Sequence, residues 1–105
     1  MKMYILVRQS VPDHMVPVVT AHASLACYKR FEDDPNMIKW VNGIFKKVVC
    51  SVNDKEFENA KKDEQYIITT ESALNSDEVA ITFCPREEYS KQFKFFELWK
   101  PSYAR

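Results

Sequence analysis

The chain has 105 residues, 46% of them hydrophobic, and balances 15 basic against 15 acidic side chains with a single glycine among them. That size and apolar content suit one domain, residues 1–105, whose core needs no disulfide staples. Charge neutrality excludes the long-range field behind indiscriminate nucleic-acid or membrane binding, and a lone glycine excludes the glycine-rich phosphate loops of nucleotide-binding proteins.

Tyr4 to Val7 is an unbroken apolar run closed by Arg8, which predicts a central strand covered on both faces. Gln9 to His14 break the pattern, and Pro17 suits the first turn of a helix, where its missing N–H has no intrahelical partner to lose. Spacings of three and four then place His22 on one stripe with Val18, Val19, Leu25 and Ala26, so the ring is expected to turn inward. A second, short helix is predicted from Pro35 through Met37, Ile38, Trp40 and Val41, ending near Gly43. The β-branched run Val48 to Val52 reads as a second buried strand. Asn53 and Glu56 form a capping box for a helix through Lys62, with Phe57 and Ala60 facing inward. Tyr66 to Thr70 and Val79 to Cys84 are the third and fourth strands. Arg86 to Lys94 is predicted as a last helix, followed by an aromatic tail that either adds a short strand or wraps the core.

This order predicts a small α/β domain: a mixed, mostly parallel four-stranded sheet with helices packed on both faces, the last strand pair adding an antiparallel member. The competing arrangement is a ferredoxin-like sheet with helices on one face, which requires the Gly43 region to be extended. Cys27, Cys50 and Cys84 lie 23 and 34 residues apart. That spacing matches neither a paired disulfide framework nor a metal knuckle, so reduced, buried thiols are expected and no metal site. No apolar run approaches the ~20 residues that span a bilayer. A cytoplasmic protein with no membrane partner is the expectation.

With YILVR, then TAHASLACY, then Trp40 ahead of KKVVCSV, IITTESAL, VAITFCP and FELWK, the chain resembles the type 2 peptidyl-tRNA hydrolases over nearly its whole length. The resemblance implies a peptidyl-tRNA hydrolase II-like fold, no cofactor, hydrolysis of the ester joining a peptide to the tRNA 3′ end, and tRNA or peptidyl-tRNA as the partner. It also implies departures at the chemistry. The family's lysine falls at Met15, its glutamine at Val19, and its Asp-Ala-Gly signature on Thr70-Glu71-Ser72. Weakened or lost catalysis is therefore the expectation. The alternative is a non-enzymatic homo-oligomeric or partner-binding module, such as a homodimer, that keeps only the scaffold.

Ester hydrolysis asks for a base or a positioned water and for donors to the oxyanion. The candidate catalytic residues are His22, Glu71 and Thr70. His22 has the right range for acid-base work and equally suits a core histidine bonded to backbone carbonyls. Glu71 beside the hydroxyls of Thr70 and Ser72, at a strand end, is able to position water. Arg8 is expected to pair with Glu71 across the sheet or to hold a phosphate bidentately. Lys46-Lys47 and Lys61-Lys62, with Arg30, are the candidate phosphate contacts, against the commoner reading of a solvated face.

Overall fold

In the computed structural model, which describes residues 1–105, the run closed by Arg8 is β1 (Met3–Arg8), followed by a single 3₁₀ turn at Asp13–Met15 and α1 (Val16–Phe31). Pro17 lies in the first turn of α1, as its fixed φ requires. Then come α2 (Pro35–Val41), β2 (Lys47–Val52), α3 (Asp54–Ala60), β3 (Tyr66–Glu71), β4 (Asp77–Phe83) and β5 (Glu97–Leu98). Asp34 caps α2 by accepting from the Asn36 N–H at 2.9 Å. The capping box of α3 is complete: the Asn53 side chain accepts from the Glu56 N–H at 2.8 Å and Glu56 accepts from the Asn53 N–H at 2.9 Å. Gly43 closes the turn after α2, where an added Cβ would lie 2.9 Å from the Lys39 carbonyl oxygen.

The sheet order is β3-β4-β1-β2-β5. Of its pairings only β1–β2 is parallel, and β1–β4, β3–β4 and β2–β5 are antiparallel. The expected four-stranded, mostly parallel sheet is therefore corrected to a five-stranded, mostly antiparallel one. The connection from β3 to β4 is too short for a crossover, so β4 must run back along β3, and it fills the place between β3 and β1. That turn uses left-handed backbone at Asn75 and Ser76 (φ 57° and 58°). Opposite Thr69 and Thr70 the register skips Val79, a bulge that sends Val79 and Ala80 into the same core.

Helices cover both faces, as expected, and the ferredoxin-like arrangement is not adopted. On one face Val16, Val19, Ala23 and Cys27 of α1 and Met37 and Trp40 of α2 pack on Met3, Ile5 and Val7. On the other, Phe57 and Ala60 of α3 and Phe93 pack on Leu6, Cys50, Val52, Ile81 and Phe83. The predicted helix over Arg86–Lys94 is corrected to irregular chain with a 3₁₀ turn at Lys91–Phe95. Tertiary contacts hold it: Arg86 bridges to Lys2 beside β1, and the Tyr89 hydroxyl donates to the Lys2 and Cys84 carbonyls at 2.8 and 2.9 Å. Tyr4, Phe83, Tyr89 and Phe93 then meet at ring-centroid distances of 4.6–6.3 Å. No helix is long and apolar enough to cross a membrane.

Candidate functional site

Because β1, β2 and β3 point the same way, their last residues share one rim of the sheet, with the starts of α1 and α3 beside them. Arg8, Thr70, Glu71 and Ser72 all come to this rim. Arg8 does not reach Glu71. Its guanidinium donates to Asp54 Oδ1 at 2.6 Å and to the Glu78 carbonyl at 3.1 Å, and lies 5.2 Å from the centre of the Phe57 ring. Lys61 sits on the same ring at 5.2 Å, bonded to Glu78 at 2.7 Å and Glu58 at 3.1 Å. These hydrogen bonds, Glu78 first, hold the Lys61 ammonium above its usual pKa. The expected Arg8–Glu71 pair is thus corrected to a network of Arg8, Asp54, Glu58, Lys61 and Glu78 around Phe57. Its acids escaped the sequence reading because Asp54 and Glu58 look like ordinary residues of a charged helix and Glu78 like part of a loop. The one available signal was Asp54 directly after the Asn53 cap, in a helix that starts at the rim where β1 ends.

Glu71 turns into its own loop, accepting from the Ala73 N–H at 3.2 Å while its carbonyl accepts from Ser76. Thr70 is exposed at the bulge, and Ser72 opens the following 3₁₀ turn. His22 is exposed, which corrects the inward stripe: the buried face of α1 is Val16, Val19, Ala23 and Cys27, while Val18 is 53% and Leu25 60% exposed. The apolar residues of α1 fit two overlapping stripes, and only the contact with the sheet selects one. Val19 is fully buried and Met15 packs against the same core, so neither position, where the resemblance puts a polar or cationic group, faces the rim as a free side chain.

Lys46 and Lys47 stand at the opposite rim, where β2 begins beside Met3. Six strand residues, ~20 Å, separate them from Arg8. Lys47 Nζ rests 3.2 Å from the centre of the Phe45 ring and 5.1 Å from that of Trp40, and desolvation there lowers its pKa. Of the candidate residues only Lys47 lines a principal cleft, a ≈ 190 Å³ apolar groove that it shares with Leu25, Tyr28, Trp40 and Phe45. A larger opening of ≈ 730 Å³ lies between Gln9, Ser51, Leu98 and Lys100. Nowhere do three or more His, Cys, Asp or Glu side chains gather as metal ligands would. The sequence matches no family model and no curated protein.

Proposed function

We propose that this chain is a peptidyl-tRNA hydrolase-like protein that keeps contact with tRNA or peptidyl-tRNA and has lost most or all hydrolysis. The observation that carries the reading is the engagement of the two rim groups best suited to chemistry. Arg8 is held by Asp54 and the Glu78 carbonyl, and Glu71 by its own loop. An arginine already paired has no free fork for a phosphate, and a carboxylate accepting a local N–H is a poor positioner of water. His22, exposed and without a carboxylate to orient it, supplies at most a weak general base. Lys46 and Arg30 are exposed cations available to phosphates. Three free thiols accord with a reducing, cytoplasmic location.

A non-enzymatic partner-binding module is the second reading, favoured by the outward face of α1, which from Val16 to Tyr28 carries no charge and exposes Val18 and Leu25. Two measurements divide the readings. Hydrolysis of a defined peptidyl-tRNA by wild type, Glu71→Gln and His22→Ala should give equal traces, because each missing preorganised partner removes ~10²–10³ in rate. Robust wild-type turnover abolished by Glu71→Gln overturns the loss of catalysis. Binding of tRNA should be measurable at low salt and fall steeply as salt rises, since phosphate contacts release counterions. No binding at low salt leaves only the second reading.

A further inference from the structure

β3 is the outermost strand of the sheet and pairs on one side only, with β4. The Cys84 N–H donates to the Gln65 carbonyl at 2.9 Å. Alternation along an antiparallel ladder then aims the backbone groups of Ile67 and Thr69 at β4 and those of Tyr66, Ile68 and Thr70 outward. None of the backbone bonds made outside the regular ladders takes up these outward groups. Natural edges are normally blunted by proline, lysine or shortness. The opposite edge is so protected: β5 has two residues, with Lys100 and Pro101 soon after. β3 has six residues, YIITTE, with neither proline nor lysine.

A second surface abuts the same edge. α1 lies chiefly over β3 and β4. From Val16 to Tyr28 it carries no Asp, Glu, Lys or Arg, and on the flank turned away from the groove that Leu25 and Tyr28 share with Trp40 it exposes His22 and Ala26, with Val18 above them. A helix with one face in the core normally shows charge on the other.

The geometry points to β3 as the seam of a homodimer, in which two copies join their sheets edge to edge about a two-fold axis at Ile68 and bring their α1 helices together above the seam. The occupant is a second copy because the strand is complementary to itself. Antiparallel pairing sets Tyr66 against the second copy's Thr70 and Ile68 against its own equivalent, and the outward backbone groups of all three residues find partners. Glu71 then lies opposite Gln65 and Glu64 opposite Ser72, so no like charges face each other. Strands are spaced about 4.8 Å apart, so a helix lying over β3 and β4 is roughly 5 Å from the axis and the two α1 helices about 10 Å apart, a packing distance for helices. They run antiparallel with their uncharged faces side by side. A seam one six-residue strand long and two layers deep buries on the order of 1,000 Å² in total, at the small end of specific interfaces, so association is reversible.

This inference rests on the second reading in naming a further copy as the partner, holds whether or not tRNA binds, and its test uses the full chain. Sedimentation over a wide range of concentration should show the mass rise from 12.4 kDa toward twice that value. Over the same range, amide exchange at Tyr66, Ile68 and Thr70 should slow by at least tenfold, while the Ile67 and Thr69 amides stay protected throughout. Thr70→Pro, which removes one outward N–H where an edge tolerates proline, and Ala26→Glu, which charges the flank of α1 beside the seam, should each hold the protein at the monomer mass. A monomer mass at every concentration overturns the proposal. So does association that leaves the three amides exchanging as fast as in dilute protein, an outcome readable even where Thr70→Pro does not fold.

Discussion

His22 stands on the solvent side of α1, so its side chain leaves neither a cavity nor a stranded carbonyl when removed. His22→Ala should therefore shift folding stability by no more than about 0.5 kcal/mol, as surface changes do. Denaturant unfolding checks this: a loss of about 1–3 kcal/mol would mean that the ring is a buried donor after all. Arg8 shows the opposite situation, a residue whose chemistry is absorbed by its neighbours. Its partner Asp54 has 80% of its side chain exposed, so the ion pair orients the guanidinium more than it stabilises the fold. Glu71 likewise has its carboxylate occupied by the loop it closes.

α3 has seven residues, too few to be stable in isolation, and depends on its cap and on Phe57 and Ala60 in the core. Asn53→Ala should cost about 1 kcal/mol, read as a lower denaturation midpoint, because the Glu56 N–H loses its acceptor and half of the capping box goes with it. Asp54→Ala should cost less, since only an exposed pair is lost. A larger loss for Asp54→Ala than for Asn53→Ala would place the helix's stability in the charge network instead of the cap. The segment Arg86–Lys94 shows how far contacts override a local pattern. The sequence predicts a helix there, yet the Arg86 bridge and the packing of the Tyr89 and Phe93 rings on Tyr4 leave it irregular, with only a 3₁₀ turn at Lys91–Phe95.

At the scale of the molecule, one sheet divides two apolar layers, and the three cysteines are spread between them, fully buried and unpaired. Burial pushes the thiols of Cys27 and Cys84 up to about 12 and that of Cys50 up to about 11. Unfolded cysteine ionises near ~8.5, so between there and pH ~11–12 the unfolded chain binds fewer protons than the folded one. Stability is then fully present below the unfolded pKa and falls as pH rises through this window, by up to about 1.4 kcal/mol per pH unit for each thiol. Denaturant unfolding at a series of alkaline pH values should show the decline, and Cys27→Ser, with no thiol to ionise, a shallower one. Equal slopes in both proteins would assign alkaline unfolding to other groups. A thiol-directed reagent at neutral pH should label none of the three in the native state and all three after unfolding.

The sequence by itself determined what local chemistry decides: strand β1 closed by Arg8, the helix opened by Pro17, the capping box at Asn53 and Glu56, three unpaired cysteines, and helices on both faces of a sheet. Each rests on contacts within a few residues or on composition. Tertiary structure alone decided the sheet order, because a short loop dictates that β4 runs antiparallel to β3 but leaves open which strand β4 meets next. It also decided the fate of the candidate site. Two stripes of α1 were equally apolar, and only docking on the sheet put Val19 inside and His22 outside. Arg8 had several acids within reach of a strand end, and the start of α3 at the same rim gave it Asp54. Lys46 and Lys47 open a strand that Arg8's neighbour closes, so they lie at the far end of the sheet, a distance visible only once β1 and β2 are known to run parallel.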